Sequence, residues 1–289
     1  MASRSVWSLK VEYILILALF GCLGPVVKAI PLPAPVIACL RAWISFLFIA
    51  VYLLVTRKFR LSSIKGVLLP MLLSGACLTG DWIGLFQAYR YTTVATATVC
   101  YYMAPIFVFL VSPLILKERF TVKHAICAGI SFIGMVLVSG VLQNGSGGPV
   151  DIRGVLFALL GAVSYTAIVL LNKKYPAGDP VVRTMVQLAM AAILMTPYIL
   201  LTNRGASFSL GGKDILLLLA LGIVLTAFAY IRYFAVIVKI PARTVSIFAY
   251  ADPVVAVLLS IFFLNEPITP SALIGSALII FACISSELG

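Results

Sequence analysis

Stretches of about 20 apolar residues follow one another from one end of this chain to the other, each long enough to cross a hydrocarbon layer of roughly 30 Å as a helix. A helix satisfies its own backbone hydrogen bonds, which lipid cannot do for it. Ten spans are predicted, at 11–30, 34–56, 65–87, 93–116, 122–142, 153–172, 180–202, 213–237, 242–264 and 269–286. Composition agrees: of 289 residues 63% are hydrophobic and 10% charged, with a mean hydropathy of +1.16, far more apolar than a soluble core requires. The expected class is an all-α integral membrane protein. The first apolar stretch follows a short basic start, but it is too long for a signal-peptide core and lacks a small-residue cleavage site, so it is read as the first helix.

The net charge of +12 raises the question of nucleic acid, and the placement of the basic residues answers it. With the N-terminus inside, fourteen of the 21 Lys and Arg fall at cytoplasmic span ends, five at outer ends, and Arg41 and Arg232 within spans. This asymmetry puts both termini in the cytoplasm and makes anionic lipid headgroups, not nucleic acid, the partner of the basic excess. The expected location is the plasma (inner) membrane of a prokaryote. All six cysteines lie in predicted spans without metal or redox spacing, and His124 is the single histidine, so no metal, cofactor or histidine triad is expected. No Walker motif is present either, and the loops are too short to hold a catalytic module. The expectation is therefore not an enzyme.

The chain repeats itself. "YYMAPIFVFLVSPLILKERFT" (101–121) and "AYADPVVAVLLSIFFLNEPIT" (249–269) align without a gap at an offset of 148, matching Tyr102 with Tyr250, Pro105 with Pro253 and Glu118 with Glu266. Five spans per half is an odd number, so the second half enters the membrane from the opposite side. The expected architecture is ten transmembrane helices as two inverted five-helix repeats, residues 1–148 and 149–289, an arrangement that builds alternating access around a midplane site. These segments, with "AYRYTTVATATVCYYMAPIFV" in the first half, resemble the EamA-type proteins of the drug/metabolite transporter superfamily. The resemblance covers essentially the whole chain and implies a transporter of amino acids, amines or other small metabolites. Where that family commonly carries Glu before the second proline, this chain has Asp252.

Ionisable groups inside the spans narrow the site. A charge at the bilayer centre costs at least about 2.5–3.5 kcal/mol on insertion scales, so Arg41, Asp81, Arg232 and Asp252 should face inward and be partnered. Depth suggests two ion pairs, Arg41 with Asp81 and Arg232 with Asp252. Asp252 is the leading ligand for a substrate amine or a coupling proton, because Pro253 frees a carbonyl beside it and Tyr250, Tyr101 and Tyr102 supply aromatic faces with hydroxyls. Asp81 and Trp82 form a second acidic and aromatic pair, and Tyr165 and Tyr230 could complete the cavity. Against the functional reading stand simpler ones: ion pairs that only lock helices, core tyrosines with backbone partners, and an interfacial aromatic belt at Tyr89 and Tyr91. Glu118 and Glu266 read as helix-end or inter-helix bonding groups. Small residues, Ala125 with Gly129 and Ser271 with Gly275, allow close helix contact within the chain or in a homodimer.

The expected function is a secondary transporter, an exporter, of a small amphipathic metabolite such as an amino acid or organic amine, with proton coupling through Asp252. The alternatives are an uncoupled facilitator of another metabolite class and a non-transporting membrane scaffold or sensor.

Overall fold

The structure is a computed structural model and describes residues 6–58, 65–119, 121–142, 151–202, 210–255 and 269–286. The described residues are helical, with no strand among them. In chain order the helices are α1 (Val6–Gly21), α2 (Leu23–Lys28), α3 (Ala34–Val55), α4 (Leu68–Tyr91), α5 (Val94–Tyr101), α6 (Met103–Leu116), α7 (Val122–Val138), α8 (Ile152–Lys174), α9 (Pro180–Thr202) and α10 (Gly212–Gly222). A π-helical turn (Ile223–Phe228) leads into α11 (Ala229–Ile237), followed by α12 (Ala242–Ala249), α13 over 251–255, and α14 (Pro270–Ser285). Among the described residues seven helical stretches are long and apolar enough to cross a membrane, and Val122–Val138 and Pro270–Ser285 are shorter apolar helices. The expected ninth span, 242–264, is described only as far as 255, and Glu266 lies outside the described residues.

Starts and stops follow local chemistry. Thr93 and Thr269 each cap a helix by accepting a hydrogen bond from the backbone N–H three residues on, at 3.1 and 3.2 Å. Asp151 caps α8 through the Arg153 N–H at 2.9 Å. Lys117 ends α6 in the left-handed region, at φ 56°. Two expected spans are broken by their prolines. The fourth divides at Tyr102 and the ninth at Tyr250, each three residues before the matched Pro105 or Pro253, whose missing N–H and bulky ring disturb the turn before them.

Packing is inside out relative to a soluble protein: large apolar side chains such as Leu114, Val122 and Leu54 point outward, while Ser74, Asn172 and Gln187 are fully buried. Small residues let the helices approach. A Cβ on Gly84 of α4 would lie 2.7 Å from the Phe157 carbonyl oxygen of α8, and one on Gly134 of α7 would lie 2.6 Å from the Gly275 carbonyl oxygen of α14. The small-residue position at Gly275 is thus used inside the chain, whereas Gly129 faces open space.

The neighbour pattern has a regularity. In terms of the expected spans, the third packs on the sixth (α4 on α8) and the eighth on the first (α11 on α1); the fourth packs on the sixth (α6 on α8) and the ninth on the first (α12 on α1). The second meets the seventh, the fourth the ninth and the fifth the tenth (α3 on α9, α6 on α12, α7 on α14). Adding five to every span number maps this set onto itself.

Candidate functional site

The two breaks meet. The Tyr250 hydroxyl donates to the Tyr102 carbonyl at 2.9 Å, taking up an acceptor at the proline-disturbed turn. The Tyr102 hydroxyl in turn donates to Asp252 Oδ2 at 2.9 Å, and the two tyrosine rings lie 6.1 Å apart. Ser246 of α12 donates to the Pro105 carbonyl, so the broken spans are tied at both sides of the crossing.

From this crossing an aromatic chain extends through the molecule. Tyr101 stands edge-on to Tyr102 at 5.7 Å and to Tyr165 at 6.5 Å, and its hydroxyl faces the Asp81 carboxyl. Tyr165 shares a 2.8 Å hydroxyl contact with Tyr233, which packs at 6.0 Å on Tyr13 and at 6.2 Å on Tyr230. Tyr230 meets Trp82 at 6.3 Å, and the Arg41 guanidinium lies over the Trp82 ring, 4.2 Å from its centre. Asp81, Asp252, Tyr250, Tyr101, Tyr102, Tyr165, Tyr230 and Trp82 therefore belong to one cluster contributed by α4, α5, α8, α11, α13 and the two breaks. The π-helical turn that aims Tyr230 is held by Thr226, which donates to the Leu221 carbonyl five residues back at 2.8 Å, and by Ser45 of α3, which donates to the Gly222 carbonyl at 2.7 Å.

Two expected ion pairs are not formed. Arg232 pairs with Glu12 of α1, leaving Asp252 to the Tyr102 hydroxyl. The reason is packing: α11 lies against α1, and Arg232 on its flank meets the acid that α1 offers. Arg232, expected in the site, is outside it. Arg41 makes no contact ion pair with Asp81; its guanidinium instead stacks over the neighbouring Trp82 ring. Both remain buried, each 6% exposed, and Arg41 Nε and Asp81 Oδ1 have no hydrogen-bond partner among the described residues. A buried charged group with an unfilled bonding position is rare in a folded protein and calls for a partner, whether water, ion or ligand.

Further groups join the site and its surroundings. Tyr13 and Tyr233 complete the aromatic cluster; Tyr233 sits one turn beyond Tyr230, a spacing that could have exposed it. Arg183, counted among the charges at span ends, is 1% exposed and donates to Asn172 Oδ1 at 3.0 Å and to the Pro176 carbonyl at 2.9 Å, pinning the α8 to α9 connection. Glu118 binds between helices as expected. It accepts from the Ala242 N–H at 2.7 Å, capping α12, and pairs at 3.5 Å with Lys173, whose amine also donates to the Ile240 carbonyl. That contact joins the C-terminal ends of α6 and α8 to the start of α12 at one end of the bundle. At the other end the tips of α3, α4 and α9 surround a cavity of about 360 Å³ lined by Tyr89, Arg90, Tyr198 and Thr202. Tyr89, expected in an interfacial belt, faces Thr98 and lies within electrostatic reach of Asp252.

An architecture of this kind, polar groups at a helix break inside an apolar bundle, coincides with a family match over nearly the whole length. The EamA-like transporter family matches residues 10–140 and again 152–286. The chain belongs to the EamA-like transporter family. Curated relatives of this EamA-like chain include an uncharacterized transporter, YxxF, of Bacillus subtilis, 25% identical over 265 residues that cover 91% of this chain and 84% of the relative. An uncharacterized transporter of Archaeoglobus fulgidus is 28% identical over 247 residues, covering 84% and 85%. A solved crystal structure shares the fold with a TM-score of 0.84 at 21% identity, covering 99% of this chain and 98% of that one.

Proposed function

We propose that this EamA-like transporter exports a small amphipathic metabolite with an amino group and a carboxylate, an amino acid or close analogue, by alternating access around the Asp81–Asp252–Arg41 cluster. The observation that carries the reading is the coexistence of an open carboxylate position, Asp81 Oδ1, and an open guanidinium position, Arg41 Nε, in one buried aromatic cluster. The carboxyls suit the substrate ammonium, the rings suit its cationic face, and Arg41 suits its carboxylate. Asp252, hydrogen-bonded by a hydroxyl and not locked to an arginine, is the group to carry a coupling proton.

The frame for this movement is two inverted five-helix repeats, residues 1–148 and 149–289, in the plasma membrane with both termini cytoplasmic. Support comes from residues that meet their own counterparts: Tyr102 touches Tyr250, and Trp82 touches Tyr230, each pair being 148 apart in sequence. Residues related by a twofold axis touch one another only where they lie beside that axis, and the helix neighbour pattern has the same regularity.

The test is flux in proteoliposomes. Labelled amino acids and their decarboxylated amines are compared for the wild type and Arg41→Gln. We expect concentrative amino-acid flux driven by a pH gradient, and a loss of at least tenfold with Arg41→Gln for amino acids but not for the amines. Absence of flux and of ligand-dependent thermal stabilisation across the panel would leave a scaffold or sensor as the better reading.

A further inference from the structure

On the outside of the bundle, away from the polar cluster, α6 and α8 leave between them an open groove of about 510 Å³. Phe107, Val111 and Ile115 of α6 form one wall, and Val163, Ala167 and Leu171 of α8 the other. Thr166 also borders it, but its hydroxyl is already spent on the Ala162 carbonyl at 2.8 Å and the Ala104 carbonyl at 3.2 Å. Apart from the buried Thr166 oxygen, no side chain along these walls offers a polar metabolite a hydrogen bond. The chemistry that fits is hydrocarbon.

The end of the groove differs from its walls. Lys174 and Tyr175 close it, with the Lys174 amine 5.8 Å from the Tyr175 ring centre. The two helices run in the same direction here, since Ala104 of α6 lies beside Thr166 of α8 and Ile115 shares the groove with Lys174. Lys117, at the C-terminus of α6, is therefore at the same end, and both lysines are exposed. Lys173, one residue before, turns inward to Glu118, whereas neither Lys117 nor Lys174 pairs with a carboxylate among the described residues. From Val163 to Lys174, α8 rises about 16 Å, close to the roughly 15 Å of a single leaflet. A dry channel one leaflet deep, ending in two cations, is complementary to an amphiphile with a long apolar chain and an anionic head.

We propose that this groove is a binding site for an anionic phospholipid, one acyl chain lying between α6 and α8 and the phosphate engaging Lys174 and Lys117. The site is independent of what the protein transports. It differs from the general attraction of basic loops for acidic membranes in requiring both the groove and the lysine.

Native mass spectrometry of the delipidated full-length protein in detergent, titrated with phosphatidylglycerol or phosphatidylcholine of identical acyl chains, tests it. Phosphatidylglycerol should bind about tenfold or more tightly than phosphatidylcholine, each basic side chain near the phosphate contributing roughly fivefold. Lys174→Gln, on an exposed position, should weaken phosphatidylglycerol about fivefold and leave phosphatidylcholine unchanged. Ala167→Phe, which fills the groove, should weaken both, and Ile115→Trp provides the same blockade from the other wall if Ala167→Phe melts early. Glycerol 3-phosphate, the head without the chain, should not compete. Equal binding of the two lipids, or an unchanged phosphatidylglycerol affinity in Lys174→Gln, overturns the proposal. So does competition by glycerol 3-phosphate, which would mean a surface anion site, or lipid binding unaffected by filling the groove, which would mean unselective annular lipid.

Discussion

Asp252 is held inside an apolar bundle by one tyrosine hydroxyl, and an asparagine in its place could still accept that bond. Asp252→Asn should therefore lower flux at least tenfold at every pH tested while moving the melting temperature by no more than about 2 °C. Normal flux in this variant would remove Asp252 from the mechanism. The Arg232–Glu12 pair should behave in the opposite way, as a joint between α1 and α11. Its members are 33% and 18% exposed at the side chain, between the surface and buried limits. Either Arg232→Gln or Glu12→Gln should cost about 1–2 kcal/mol, and the double variant should recover part of it, with substrate affinity unchanged throughout. A double variant that loses the full sum of the two would show that the charges act separately. Both acids and most of the aromatic residues that gather around them stood out by residue type and depth, because a carboxylate inside an apolar run is costly and has to face the bundle interior. The arginine pairings were not. Depth along a span says how far a side chain sits from the surface, but not which helix stands beside it, and Glu12 lay unused inside the expected first span.

At the scale of elements, the breaks at Tyr102 and Tyr250 could be anticipated because proline acts locally on the turn before it. The π-helical turn at Ile223–Phe228 could not, since "IVLTAF" reads as an ordinary apolar helix and the wide turn depends on Ser45 of another helix reaching the Gly222 carbonyl. Helix contacts through small residues were legible as a tendency only. Of the positions considered, Gly275 is in contact and Gly129 is not, while the partner that Gly275 meets, Gly134, had no distinguishing mark. Gly134→Leu should push α7 and α14 apart and lower stability by about 1–3 kcal/mol, as read by thermal unfolding in detergent. Gly129→Leu, facing open space, should be close to neutral, and a reversal of that order would mean that the α7–α14 contact is not formed in the membrane.

At the scale of the whole molecule, the twofold reading makes a prediction about sidedness. In a cysteine-free background, cysteines at Ser146 and Ala206 should react with an impermeant reagent from outside, and those at Ser62 and Ala177 should not. Ala177 serves better than its neighbour, because Gly178 has φ 94° and a side chain there would strain the turn. Reaction of the second pair from outside would reverse the orientation. The repeat was legible over its most similar window, where tyrosine, proline and glutamate recur together, and faint elsewhere, because lipid-facing positions accept almost any large apolar residue. The contacts across the proposed axis carry one more consequence. Tyr102 meets Tyr250 and Trp82 meets Tyr230, but at the same offset Asp252 answers to Ala104 and Asp81 to Ala229. On the proposed reading the frame is doubled while the acids are single, so a bound amino acid would face two carboxylates, Asp81 and Asp252, and one guanidinium, Arg41, none of them repeated at the matched position. Exchange of the two halves between opposite-facing states would then leave the frame alike but not the acids, so the affinity met from one side of the membrane should differ from that met from the other.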